Sequence, residues 1–167
     1  SIAEPVMTEV IEFLKSKKLN GAVRVSRAKT GAPPAPPSVL FGEVPEEILV
    51  IENEMSFLIR LKTARHSGLF LDHEPLRRWL KSNTPKGAKV LNTFCYTGSL
   101  SIASKAGGAG SVVNLDLSNS YLKWSKKNWE KNQYPQNELK CVAEDTLHFL
   151  PKLAKQGKTF DMVILDP

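Results

Sequence analysis

The sequence predicts an α/β fold: a parallel sheet covered by helices on both faces, preceded by a small α+β extension. Three observations predict it. From Ala88 onward, short apolar runs alternate with helix-like runs, and strands that alternate with helices are parallel strands joined by right-handed crossovers. The runs VVNL and MVIL are apolar on both faces, as doubly covered strands are. The four strands each deliver a polar or acidic group to one edge, at Tyr96–Thr97, Asp116, Glu144–Asp145 and Asp166.

Each element has its own justification. Residues 4–18 place Val6, Met7, Val10, Ile11 and Leu14 at the spacing of an amphipathic helix. Residues 31–39, GAPPAPPSV, can continue neither a helix nor a central strand and read as an extended, rigid connector. Ile48–Glu52 and Ser56–Leu61 read as two strands around an Asn53–Glu54 turn. Pro75 suits the first turn of a helix whose apolar stripe is Leu76, Trp79 and Leu80. After the turn Thr84–Gly87, AKVLNTF is a strand and Gly98 to Ala106 a helix. SVVNLDL is a strand, and SNSYLKWSKKNWEKN is a helix with Ser118 as its N-cap. ELKCV, EDTLHFLPKLAKQ and FDMVILDP complete the series as strand, helix and strand.

Composition narrows the function classes. Hydrophobic residues make up 41% of the 167, enough for a core and too many for a disordered chain. No apolar stretch approaches the roughly 18 residues of a membrane span. The N-terminus SIAEPVMTEVIEF shows no basic region followed by an apolar run. Cys95 and Cys141 are the only cysteines, and neither has a Cys or His at zinc-ligand spacing. The expectation is a cytoplasmic protein with no membrane segment, no metal and no disulfide framework. The net charge of +6, from 23 Lys plus Arg against 17 Asp plus Glu, suits a nucleic-acid partner.

The strand ends suggest what is bound. In such sheets ligands sit beyond the carboxyl ends of the strands, near the point where strand order reverses. NTFCYTG leads from the first strand into a helix N-terminus, whose free N–H groups attract an anion. Asp116 follows Gly98 by 18 residues, near the spacing of about 20 at which a carboxylate accepts from a ribose diol. A carboxylate at Glu144–Asp145 can accept from an adenine amino group. The ordered set points to an adenosine-containing ligand. A pyrophosphate needs close backbone approach and several glycines. This turn has one.

Over residues 67–167 the chain resembles the bacterial large-subunit (23S) ribosomal RNA methyltransferases of the class I, S-adenosylmethionine-dependent type. Four stretches carry the resemblance: GLFLDHEPLRR, VLNTFCYTGSLSIA, VVNLDLSNSYLKWSKKN and FDMVILDP. GLFLDH and Tyr121-Leu122-x-Trp124 are most similar to the guanine-N7 enzymes, with the cytosine-C5 enzymes next. The resemblance implies a Rossmann-like class I methyltransferase sheet, of which the first four strands are here. Residues 63–167 would be the N-terminal half of the cofactor-binding domain. Residues 1–62 would be the helix, the Pro-rich connector and the small β extension.

Carried over position by position, the resemblance implies S-adenosylmethionine as cofactor and ribosomal RNA as substrate. Asn92, Phe94, Tyr96, Thr97 and Gly98 would line its methionine and ribose part. Asp116 would hold the ribose hydroxyls, with Leu117 beside the adenine. Asp145 and Thr146 would bound the adenine, and Phe70 and Asp72 would close over the cofactor. Asp166 and Pro167 would face the target base. Glu74 stands where the family usually carries Arg, and Arg77 and Arg78 are the nearby substitutes.

Methyl transfer from a sulfonium needs mainly in-line alignment of the nucleophile. Guanine N7 carries a lone pair and needs no covalent help, whereas cytosine C5 needs a cysteine to add to the ring first. Cys95 and Cys141 read as small packing residues, not nucleophiles. His66 and His73 read as carrying no metal or acid/base role. Lys123, Lys126, Lys127 and Lys131 read as a solvated helix face, and Trp124 and Trp129 as packing residues. A class I domain has seven strands, so the chain is expected to be part of a longer protein. A non-catalytic RNA-binding module and a methyltransferase of protein or small molecules share the fold. Tyr96, Gly98, Asp116, Asp145 and Asp166 together argue for a working site.

Overall fold

The computed structural model describes residues 4–25, 35–62 and 66–167. The chain forms two compact units, residues 1–48 with 59–67 and residues 49–58 with 68–167.

The first unit contains α1 (Glu4–Ser16) and an antiparallel pair, β1 (Gly21–Arg24) and β2 (Ser38–Gly42). On α1 the more sheltered residues are Met7, Ile11 and Leu14, one helical face, while Val6, Val10 and Phe13 are exposed. The β1–β2 pair corrects the sequence reading twice. Gly21–Arg24 is a strand that no sequence pattern announces, and Ser38 and Val39 belong to β2 instead of the Pro-rich connector. Gly31–Pro34 of that connector lie outside the described residues. Gly42 sits at φ +69°, a conformation that glycine adopts without a Cβ clash.

The second unit begins with the hairpin strands β3 (Ile48–Glu52) and β4 (Met55–Ile59). β4 starts one residue earlier and ends two earlier than its sequence pattern suggests. Asn53 and Glu54 both have positive φ, 49° and 66°, which a two-residue hairpin turn of matching twist requires. Lys81 holds this turn through the Asn53 carbonyl at 2.8 Å and the Glu54 carboxylate at 2.7 Å.

After a single 3₁₀ turn at Leu71–His73, α2 (Glu74–Asn83) leads to β5 (Lys89–Thr93). Then come α3 (Ser99–Gly107), β6 (Ser111–Asp116), α4 (Asn119–Lys131), β7 (Leu139–Ala143), α5 (Thr146–Lys155) and β8 (Met162–Leu165). The four strands form one parallel sheet in the order β7-β6-β5-β8. Strand order reverses at β5, so the crevice above its carboxyl end is the expected ligand position. Val90, Leu91, Val112, Leu115 and Ile164 fill the sheet's core, with Leu100, Ile102, Ala103, Leu122 and Trp129 from the helices.

The stripe expected on α2 is corrected. Leu76 and Trp79 are exposed, and the buried face is Arg77 with Leu80. A fully buried guanidinium requires a partner. Arg77 donates from Nε and Nη2 to the two carboxylate oxygens of Glu52, at 2.7 and 2.8 Å. α2 lies against α3 closely enough that a Cβ on Gly107 would fall 2.7 Å from the Leu80 carbonyl. Among the described residues, no helix is long and apolar enough to cross a membrane.

Candidate active site

Parallel register puts the last residues of β5, β6, β7 and β8 at one edge of the sheet. The segment from Phe94 to Gly98 stands above β5, and its backbone is unusual. Phe94, Tyr96 and Gly98 have φ of 53°, 51° and 75°. Bulky residues in the left-handed region are strained by about 1–3 kcal/mol each, and persist only when their surroundings hold them.

The surroundings here are hydrogen bonds. Asp116 Oδ2 accepts from the Tyr96 amide at 2.8 Å, and its Oδ1 accepts from the Ser118 amide at 2.8 Å. The Cys95 amide donates to the Leu115 carbonyl at 3.1 Å, and the Gly98 amide to the Cys95 carbonyl at 2.8 Å. Thr97 Oγ1 donates to the Gly68 carbonyl at 2.6 Å, and Asn128 Nδ2 donates to the Thr97 carbonyl at 2.9 Å. A Cβ at Gly98 would lie 2.5 Å from Ser125 Oγ, so any other residue here is opposed by packing as well as by φ.

Beneath the turn lies a buried polar chain. Asn92 Nδ2 donates to Ser101 Oγ at 2.8 Å, Ser101 Oγ to Asn114 Oδ1 at 2.5 Å, and Asn114 Nδ2 to Ser125 Oγ at 2.6 Å. Asn92 Oδ1 is buried without a protein partner. Such an atom is rare in a folded protein.

The three crossover helices start differently. Ser118 caps α4 by accepting from the Tyr121 amide, and Asp145 caps α5 by accepting from the His148 amide. α3 starts at Gly98 with no side-chain cap. Its N-terminus can therefore serve an external anion.

An aromatic wall borders the turn. The Tyr96 ring lies 5.3 Å from Phe70, 4.5 Å from Tyr121 edge-on and 6.3 Å from Trp124. Burial, with a smaller contribution from Tyr121, pushes the Tyr96 hydroxyl up to about 12, so it stays protonated at neutral pH. Phe70 is 40% exposed. Arg77 fixes its backbone from below, donating from Nη1 to the Phe70 carbonyl at 2.8 Å. Across the edge, His73 Nδ1 lies 3.5 Å from Asp166 Oδ2.

Residues 24–167 match the S-adenosylmethionine-dependent methyltransferase family. The chain belongs to this family. It is 36% identical over 126 residues to a ribosomal RNA large subunit methyltransferase K of Neisseria meningitidis serogroup B, covering 75% of this chain and 35% of that protein. It is 33% identical over 129 residues to a ribosomal RNA large subunit methyltransferase I of Pseudoalteromonas atlantica, covering 77% and 32%. The chain thus spans about a third of the length of these relatives. A solved structure described as a methyltransferase complexed with SAH matches with a TM-score of 0.87 at 26% identity, covering all of this chain and 43% of that one.

Against this family frame, the residues expected from the sequence fall into two groups. Phe70, Phe94, Tyr96, Gly98, Asp116 and Asp145 reach the carboxyl edge together, with Asp166 at the end of β8. Asp72, Leu117 and Pro167 are exposed at the same rim. Asn92 and Thr97, in contrast, have buried side chains already engaged with Ser101 and Gly68, and Thr146 is buried at the start of α5.

Several contributors escape a reading of the sequence. Tyr121 faces Tyr96, Asn114 and Ser101 underlie the turn, and Asn128 ties it from α4. His73, read as carrying no metal or acid/base role, lies beside Asp166, and Arg77, named in the sequence only as an Arg near Glu74, meets Glu52 and Phe70. One signal points to Asn114, a polar residue inside an otherwise apolar strand run, and none marks the others. The tryptophans behave as packing residues, Trp124 and Trp129 both being buried, and the lysines on α4 are exposed. Burial pushes the Cys95 thiol well up and also raises Cys141, so neither offers a thiolate at neutral pH.

Proposed function

We propose that this chain is the cofactor-binding part of an S-adenosylmethionine-dependent methyltransferase of large-subunit ribosomal RNA, with guanine N7 as the acceptor. The observation that carries the cofactor reading is the uncapped α3, entered through a strained turn whose Tyr96 amide donates to Asp116 Oδ2. These groups fit an adenosylated amino acid. The α3 N-terminus would receive the carboxylate of the amino-acid tail. Each oxygen of Asp116 has a lone pair left after its backbone contact, so the carboxylate can still accept from ribose hydroxyls. Leu117 and the α5 start at Asp145–Thr146 would border the adenine, and Phe70 and Asp72 would cover it.

The bound cofactor supplies an electrophilic methyl group on a sulfonium. Everything else is positioning, which the chain's residues would provide. Thr97 within the turn and Asn92 beneath it would act by fixing its shape. Asp166 and Pro167 would face the target base, with His73 fixing the Asp166 carboxylate.

The names of the relatives support ribosomal RNA as substrate, and the basic charge agrees with it. The guanine-N7 reading is supported by GLFLDH and Tyr121-Leu122-x-Trp124.

The test is labelled S-adenosylmethionine with the full-length protein and unmodified large-subunit rRNA, followed by mass spectrometry of the product nucleosides. The expected product is 7-methylguanosine. 5-Methylcytidine would replace the N7 reading with a cysteine-assisted mechanism, and an absence of transfer to RNA would overturn the substrate.

A further inference from the structure

We infer that Asn128 is a positioning residue for the cofactor turn, tying it to the edge of hairpin strand β4. The inference rests on the cofactor reading of the turn given above.

α4 presents Trp124, Asn128 and Asn132 at intervals of four residues, on one face of the helix. All three bond to the β4 backbone. Trp124 Nε1 donates to the Leu58 carbonyl at 3.0 Å, and the Leu58 amide donates to Asn128 Oδ1 at 2.8 Å. The Ser56 amide donates to Asn132 Oδ1 at 2.9 Å, and Asn132 Nδ2 donates to the Ser56 carbonyl at 2.7 Å. A strand edge presents unpaired amides and carbonyls that need partners. Here helix side chains provide them, much as a neighbouring strand would.

Trp124 touches the turn through its ring, 6.3 Å from Tyr96, whereas Asn128 adds a hydrogen bond to the turn's backbone. Its carboxamide is fully buried, and while its oxygen serves Leu58, its nitrogen donates to the Thr97 carbonyl. Thr97 lies between Tyr96 and Gly98, two of the turn's left-handed residues. The opposite side of the same residue is tethered to Gly68, whose hydrogen atoms face the Trp124 ring so closely that no Cβ could be accommodated. One carboxamide therefore holds β4 at one end and the strained turn at the other. Asn132 holds β4 in the same way without touching the turn, and so provides an internal control.

The experiment uses the full-length protein and S-adenosylmethionine. Asn128→Asp keeps an oxygen for the Leu58 amide and removes the donor to Thr97. Asn132→Asp removes the corresponding donor to Ser56. Both variants should melt at lower temperature than the wild type. By calorimetry, Asn128→Asp should weaken S-adenosylmethionine by about tenfold or more, while Asn132→Asp stays within about twofold.

Equal affinities in two folded variants would overturn the inference and leave the cofactor reading intact. A wild-type protein that binds no S-adenosylmethionine would overturn both. A measurement on the wild type covers the case in which Asn128→Asp does not fold. The side-chain amide protons of Asn128, followed by NMR, should exchange more slowly when S-adenosylmethionine is added, and those of Asn132 should not change. Equal behaviour of the two carboxamides would overturn the inference.

Discussion

The turn after β5 and the turn after β7 join the same kinds of element, a parallel strand and a crossover helix, yet they are built in opposite ways. After β7, Asp145 turns its own side chain back onto the His148 amide, and α5 is capped from within. After β5, no side chain caps α3, and the polar groups nearby hold the backbone in left-handed conformations. The first design is stable by itself. The second leaves donors open at a helix start and keeps strain in place around them. Strain held by surrounding structure is a mark of functional sites, and the difference is what the proposed function rests on.

The most severe way to break the comparison is Asp116→Ala. It removes the acceptor for Tyr96 and Ser118 and, on the proposed function, for the ribose hydroxyls. Hydrogen bonds to a charged group contribute about 1.5–3 kcal/mol, so cofactor affinity should fall roughly 100-fold. Isothermal titration would show it. An unchanged dissociation constant in a folded variant would place the ribose elsewhere.

Gly98→Ala comes next and acts on stability first. The φ of 75° is unfavourable for alanine, and the added Cβ would meet Ser125 Oγ at 2.5 Å. The expected loss is about 2–3 kcal/mol, read from denaturant unfolding. The matched substitution Gly157→Ala, where nothing lies within 4 Å, should cost only what its φ of 63° imposes.

How much of this was legible in the sequence follows from what each residue must do. Strands β5 to β8 were legible because short apolar runs alternate with helix-like runs, although Val163 and Leu165 of MVIL are exposed and Asn114 of VVNL is a buried polar residue, not the two covered apolar faces expected. β1 and β2 were not. They are four and five residues long, only partly buried, and beside a proline run, so no periodicity marks them. The turn was legible as a strand–turn–helix with an acid after the next strand, because tails, diols and helix ends require those types. Its left-handed Phe94 and Tyr96 were not, since aromatic residues rarely adopt that conformation and contacts distant in sequence, such as those to Asp116, Leu115, Gly68 and Asn128, hold it. Asn92, Asn114 and Asn128 look like surface residues in a sequence. They are buried where serine hydroxyls and backbone groups meet them, Ser101 and Ser125 for Asn92 and Asn114 and the Thr97 carbonyl and Leu58 amide for Asn128, a pairing that arises only after the chain has folded.

Asp145 sharpens the comparison at smaller scale. Asp145→Ala removes the cap of α5 and should lower stability by about 1 kcal/mol in thermal or chemical unfolding. Asp145→Asn should restore that stability, since Asn caps equally well. If the carboxylate also accepts from the adenine amino group, both variants should weaken S-adenosylmethionine by about fivefold. Full affinity in Asp145→Asn would leave Asp145 as a cap alone.

The smallest effect concerns Tyr96, which forms the wall of the receiving turn. Burial holds its hydroxyl at about 12, whereas an unfolded chain ionises a tyrosine near 10. Below pH 10 both states keep the proton and the folded state is unaffected. Between pH 10 and 12 the unfolded state releases the proton first, so stability declines across that window and the contribution is lost as pH passes 12. Tyr134, also raised by burial, adds to the same decline. Tyr96→Phe should therefore flatten the fall in melting temperature between pH 10 and 12 without abolishing it. Tyrosinate absorbance of the folded wild type should likewise show a late-titrating phase that shrinks in the variant. A variant whose melting temperature falls as steeply as that of the wild type would mean that Tyr96 is open to water, and that the wall around the turn is looser than its ring contacts with Phe70 and Tyr121 imply.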